Sequence, residues 1–264
     1  MTSIAKNLIK FSVARFKMDP SLFIAGFQKC GTTSLYKYLL ETRVYIPGKI
    51  KENNYLPQST TFHKHIYLWS FPWKRPGKKT LDASHLNTYY PYGLERIRDH
   101  FPNSKIIFIM RNPVDRAYSH YQHNIRNNRD TLSFSQRVEE EFKIINTIND
   151  LSNITEIFEK TVGFETYGMP ITKGLYVNYL RTAQDLGLDF LPLCLENMEN
   201  GFEGGWKTIM NFLNIDVDII PKRIVWNRAP LYPEMHSRDR ERLEEFYKEY
   251  NEQLFSLIGE SFPW

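Results

Sequence analysis

The chain reads as one α/β domain, a central parallel sheet flanked by helices, and three observations carry that expectation. The apolar run Leu22-Phe-Ile-Ala enters a glycine-bearing loop, and a segment of helical spacing follows. Lys105-Ile-Ile-Phe-Ile-Met110 is a continuous apolar run, as strands buried on both faces of a parallel sheet are. Strand-like and helix-like stretches alternate, with no internal repeat and no low-complexity linker between them.

Taken in order, the N-terminus sets Lys6, Lys10, Arg15 and Lys17 among apolar residues. The reading preferred here is an amphipathic helix laid on the core; a membrane surface is the alternative. Residues 22–26 form a strand. Residues 32–40 follow as a helix, with Leu35, Tyr38 and Leu39 at spacings of three and four. Leu94, Ile97 and Phe101 give residues 92–101 a helical stripe that Pro102-Asn103 ends. After the strand at 105–110, Arg111-Asn112-Pro113 makes a tight turn into a helix. Pro113 suits its first position, and Asp115 its positive end. Residues 127–170, with Glu139-Glu-Glu141, are expected to form helices that cover the sheet or make a lid. Phe190-Leu-Pro-Leu-Cys-Leu195 is a further strand, and residues 206–213 a helix. Leu243, Phe246, Tyr247, Tyr250, Leu254, Leu257 and Ile258 form the stripe of a last helix that Gly259 stops.

The 264 residues are 42% apolar and 24% charged, which suits a globular domain and excludes disorder. No apolar run approaches the roughly 20 residues of a membrane-spanning helix, and no secretory signal is read at the N-terminus. The two cysteines, Cys30 and Cys194, make neither a disulfide framework nor a metal-ligand cluster, so a cytoplasmic setting and no metal are expected. The net charge is only +4, but residues 43–79 hold eight Lys and Arg against one acid, Glu52, with seven aromatics interleaved. That stretch favours an anionic partner.

Gly26-Phe-Gln-Lys29-Cys-Gly31-Thr32-Thr33 lies between a buried strand and a helix, where main-chain N–H groups and the helix dipole favour an anion. The spacing resembles a phosphate-binding P-loop, so the domain is P-loop-like. Thr32 stands where that loop has lysine, however, and the lysine has moved to Lys29. A nucleoside-triphosphate enzyme also wants an acid at a neighbouring strand end to hold Mg²⁺, and here the best strand ends in Arg111. Arg111, with Arg116 and Ser119 on the next helix, offers a second anion site. Two such sites fit a nucleotide phosphorylated at both ends better than ATP·Mg²⁺. Taken singly, the loop reads equally as a structural turn and Arg111 as a surface arginine.

These residues resemble the sulfotransferases that use PAPS (3′-phosphoadenosine 5′-phosphosulfate). Phe27-Gln-Lys-Cys-Gly-Thr-Thr-Ser-Leu35 is similar to the family's 5′-phosphosulfate loop. The run from Lys105 to Tyr121 is similar to its 3′-phosphate motif, in which Arg111 and Ser119 match the phosphate-binding positions. Lys51-Glu52 with Tyr55, Gly174-Leu175-Tyr176, and the stretch from Tyr232-Pro-Glu-Met235 to Gly259 resemble the heparan sulfate branch. The likeness runs from about residue 20 to the C-terminus, residues 127–170 excepted. It implies one sulfotransferase domain over 1–264: a nucleotide-binding core at 20–126, a helical insert or lid at 127–170, and the rest of the core at 171–264.

The resemblance implies transfer of a sulfuryl group from PAPS, which leaves as PAP, to a hydroxyl or amine of an acceptor, with a carbohydrate or glycoconjugate expected and no metal. Lys29 would stabilise the leaving charge. Cys30, Gly31, Thr32, Thr33 and Ser34 would hold the 5′ end, and Arg111, Ser119 and Arg228 the rest of the nucleotide. Two residues compete as the base. Glu52 matches the catalytic glutamate of the heparan-type branch and is preferred; His85 matches the histidine of the small-molecule branch. The heparan branch has a lysine where this chain has Ala83. Tyr176 frames the site or belongs to the core. A soluble bacterial-type enzyme that binds no nucleic acid is expected. The rival readings are a P-loop kinase, a nucleic-acid binder using residues 43–79, and a nucleotide-binding protein without turnover.

Overall fold

The computed structural model describes residues 3–161, 169–216, 219–222 and 232–264. Five strands, β1 (Leu22–Ile24), β2 (Tyr45–Ile46), β3 (Lys79–Asp82), β4 (Lys105–Met110) and β5 (Asp189–Cys194), form one sheet in the order β2-β3-β1-β4-β5. All pairings are parallel, with Phe23 opposite both Asp82 and Ile106, and Met110 opposite Cys194. The apolar runs at 22–24, 105–110 and 189–194 are three of these strands, as expected. Ile106 to Met110 are all buried, and each such side chain stabilises the fold by roughly 1.5–3 kcal/mol.

Among the described residues the α-helices are α1 (Ser3–Ala14), α2 (Thr32–Glu41), α3 (Tyr55–Gln58), α4 (Lys64–Leu68), α5 (Leu86–Tyr89), α6 (Pro91–His100), α7 (Pro113–Arg126), α8 (Phe134–Ile145), α9 (Ile154–Thr161), α10 (Tyr176–Asp185), α11 (Leu195–Asn200), α12 (Phe202–Leu213) and α13 (Ser237–Ile258). Their ends follow local chemistry. Asn112 caps α7 by accepting from the N–H of Val114 and Asp115, with Pro113 next. Ser133 and Gln136 make a capping box on α8. Gly259 ends α13 at φ 69°. Residues 127–161 do form helices. They build a second core, in which Val138, Ile145 and Ile157 pack with Val114 and Tyr118 of α7 and Leu243 and Tyr247 of α13. Among the described residues no helix is long and apolar enough to cross a membrane.

The strand order positions the site. From central β1 the chain runs out to β2, returns to β3, and crosses β1 to reach β4. The direction therefore reverses at β1. Loops leaving the C-terminal ends of β1, β3 and β4 meet there, where parallel sheets bind ligands.

Candidate anion-binding site

The loop after β1 is shaped by close packing. A Cβ on Gly26 would strike the main chain of Ile109, and one on Gly31 would sit 2.9 Å from Leu195 Cδ1. Gly31 has φ 85° and Lys29 φ 73°, so the loop curls through two left-handed residues, one of which is not glycine. Phe27 N–H donates to the Ile109 carbonyl (3.3 Å), and Cys30 N–H to the Phe27 carbonyl (3.2 Å). Cys30 is thus spent on closing the loop. Its thiol is buried 3.7 Å from the Tyr176 hydroxyl, and burial pushes its pKa to about 11. Gly31 begins α2 without a side-chain cap. The first turn of α2, with Thr32, Thr33 and Ser34, therefore lies at a positive helix end that its N-cap residue does not cap.

Arg111 leaves β4 beside this loop. The Tyr176 hydroxyl, buried in the core, donates to the Arg111 carbonyl at 2.9 Å, and Asn112 N–H donates to Glu196 Oε1 at 2.8 Å. Tyr176 therefore belongs to the core and steadies the turn. On α7, Ser119, His123 and Arg126 fall at helical spacing on one face. On the adjacent face Arg116, His120 and Asn124 are fully buried. The Arg116 guanidinium donates to the Pro170 carbonyl, so this arginine is a core residue.

The cations converge. The pKa of Lys29 is lowered by burial, and then by the charges of Arg126 and Arg111. That of His123 is pushed down to about 4 by burial, then by Lys29, Arg126 and Arg129. Among the described residues Lys29 and Arg111 have no hydrogen-bonded or ion-paired side-chain partner. Two clustered cations without an anion, next to an uncapped helix end, fit a ligand that is anionic at more than one point.

At the third loop, Asp82 ends β3 with its carboxylate buried. It accepts from Tyr67 Oη (2.5 Å) and Ser84 N–H (2.9 Å), and burial raises its pKa to about 6. Ala83 N–H donates to the Lys51 carbonyl (3.2 Å), which ties the segment after β2 to the segment after β3. This places Glu52 Oε2 3.5 Å from His85 Nδ1, while Glu52 Oε1 accepts from Lys51 Nζ at 2.8 Å. Burial opposes ionisation of Glu52, but the hydrogen bond and charge of His85, then Lys51, outweigh it and hold the pKa at about 2. The Glu52 side chain is 37% exposed and that of His85 11%. His85 Nε2 is buried and, among the described residues, has no hydrogen-bond partner.

A cavity of about 40 Å³ opens beside His85, lined by Leu86, Tyr89 and Tyr90 of α5 and its end, Phe158 of α9, and Lys173 and Tyr179. The Tyr90 and Phe158 rings stand 4.7 Å apart, so α9 packs against the end of α5. Burial, and then the charge of Arg116, lowers the Lys173 pKa to about 7.

The structure thus brings Lys29, Gly31, Thr32, Thr33, Ser34, Arg111 and Ser119 to one sheet edge, with Glu52 and His85 at the next loop. Arg228 lies outside the described residues. Sequence reasoning missed His123 and Arg126, although both follow Ser119 at helical spacings of four and seven, which is the signal that finds them.

The chain belongs to the sulfotransferase family: the family model described as "Sulfotransferase domain" matches residues 19–228. Human bifunctional heparan sulfate N-deacetylase/N-sulfotransferase 1 is 26% identical over 276 residues, which cover 92% of this chain and 30% of that protein. Human carbohydrate sulfotransferase 15 is 25% identical over 179 residues, 62% of this chain and 31% of that protein. The chain therefore spans less than a third of the length of these relatives. Among solved structures, a sulfotransferase from Alicyclobacillus acidocaldarius superposes with a TM-score of 0.76 at 24% identity, over 92% of this chain and 97% of that one.

Proposed function

We propose that this sulfotransferase uses PAPS as donor and sulfates a hydroxyl or amine of a carbohydrate or glycoconjugate. The observation that carries the donor is the pairing of Lys29 and Arg111, which follow the adjacent strands β1 and β4 and, among the described residues, have no anionic partner. The first turn of α2 and Lys29 would hold the 5′ end; Arg111 and Ser119, with Arg228 from the segment not described, would hold the 3′ end. Bound there, PAPS supplies an activated sulfuryl group and a stable nucleotide leaving group. The names of the relatives support the acceptor class.

Lys29 stabilises the negative charge that develops as the nucleotide departs, and the N–H groups of Gly31, Thr32 and Thr33 assist it. A loose transition state makes such positioning and charge the main catalytic contribution. Glu52, the more exposed of its pair, takes the acceptor proton and shares it with His85 across 3.5 Å. A carboxylate held near pKa 2 by a charged His85 is a weak home for a proton. The pair therefore works as a base in the form with His85 neutral, where the charge that holds Glu52 down is absent and the ring can accept the proton from Glu52. The cavity between Leu86, Tyr90 and Phe158 gives the acceptor a wall beside His85. The test is transfer of labelled sulfate from PAPS to a panel of glycans and smaller alcohols and amines. Absence of PAPS-dependent labelling across the panel, with PAPS binding intact, overturns the turnover claim.

A further inference from the structure

The first 81 residues hold fourteen Lys and Arg against three acids, Asp19, Glu41 and Glu52. The structure gathers much of this excess on one surface, away from Lys29 and Arg111. α1 packs against α4, but it does not bury all its apolar residues: Phe11 is 68% exposed, and Ile9 also faces outward. Beyond α1, Phe16 (51%), Trp73 (52%) and Ile50 (53%) are exposed as well.

These residues belong to one patch. Lys17 and Trp73 form an antiparallel bridge, and Lys74 N–H donates to the Phe16 carbonyl at 2.8 Å. Lys49 N–H donates to the Ser70 carbonyl, which brings Lys49 and Ile50 alongside. Three ammonium groups surround one indole: Lys49, Lys17 and Lys10 lie 4.7, 5.7 and 6.0 Å from the Trp69 ring. Phe11 packs its edge on His65 at 5.5 Å. Arg15, Lys74, Arg75 and Lys78 are exposed around this centre. The adjacent acid, Asp19, is neutralised by Lys64 at 2.7 Å.

We infer that this patch docks the protein on the surface of an anionic lipid bilayer. A soluble polyanion would satisfy the cations, but it would leave Phe11, Phe16, Ile50 and Trp73 in water. An interface of anionic headgroups over acyl chains meets both demands: the rings sit at headgroup depth and the lysines and arginines pair with phosphates. Lys49 and Ile50 directly precede Lys51 and Glu52, so the patch borders the segment that carries Glu52. The rest of the patch is separate from the residues proposed to bind PAPS.

The test is co-sedimentation with vesicles of phosphatidylcholine alone and of equal parts phosphatidylcholine and phosphatidylglycerol. The variants are Phe11→Ser/Phe16→Ser/Trp73→Ser and, separately, Lys49→Glu/Lys74→Glu/Arg75→Glu. The parent is expected to bind the anionic vesicles, less as salt rises, and not the neutral ones. Each triple variant is expected to lose at least ~10-fold in partitioning, with its melting temperature and any PAP-induced shift unchanged. Equal partitioning onto both vesicle types, no partitioning, or variants that bind like the parent overturns the inference. So does a parent dimer, seen by sedimentation velocity, that the Phe11/Phe16/Trp73 variant dissociates, since the patch is then a subunit interface. None of these readouts depends on turnover.

Discussion

Glu52 and His85 face each other at 3.5 Å, Oε2 to Nδ1, although they leave different strands of the sheet. Their contact exists because β2 and β3 are parallel neighbours whose outgoing segments are joined by the Ala83–Lys51 hydrogen bond. Two residues that the sequence offers as competing bases thus meet in space.

If the pair works as a unit, its two substitutions are unequal but not independent. Glu52→Gln is expected to slow single-turnover transfer by about 100- to 1,000-fold, and His85→Asn by about 10- to 100-fold. The double variant should be little slower than Glu52→Gln alone. Single-turnover rates for the three variants check this; strictly multiplicative losses contradict a shared proton.

Lys29→Ala is expected to reduce turnover by about 100- to 1,000-fold with a smaller loss of PAP affinity. Arg111→Ala should do the reverse, weakening PAP binding more than it slows saturated turnover. Rate constants at saturating PAPS, set beside calorimetric affinities for PAP, separate the two effects.

Gly31→Ala places a Cβ in a left-handed residue 2.9 Å from Leu195 Cδ1. Left-handed backbone costs a non-glycine residue about 1–2 kcal/mol, before any contact with Leu195. Chemical denaturation should show that loss; a variant as stable as the parent would mean that the loop has another shape.

His123 supplies a pH dependence. Its folded pKa, about 4, lies below the ordinary histidine value of 6.5, chiefly through burial. Between those values the unfolded chain binds more protons than the folded one, so this residue's share of stability is full above pH 6.5 and is lost as pH falls toward 4. His123→Gln should flatten that part of the stability–pH curve. Denaturation midpoints measured across the window check it.

Sequence and structure agree where the physical signal is local. β1, β4 and β5 are legible because each is an apolar run, and α7 because Asn112-Pro113 marks its start. β2 and β3 are two and four residues long, with Lys79 and Asp82 at the ends of β3, so neither shows a readable period. Without them the strand order is hidden, and with it the meeting of Glu52 and His85. Lys29, Arg111 and Ser119 are visible because their motifs are contiguous. Cys30 looks like a loop donor in the motif, yet its N–H closes the loop on Phe27. The outward face of α1 is invisible for another reason: an amphipathic pattern does not tell which neighbour covers the apolar side.

Thermal unfolding with PAP, in the presence of a metal chelator, tests the donor assignment most directly. At 100 times its dissociation constant PAP should add about 2.7 kcal/mol of stability, raising the midpoint with no metal present, and Arg111→Ala should remove most of that rise. No rise with PAP, or a rise only with ATP and Mg²⁺, would contradict the account.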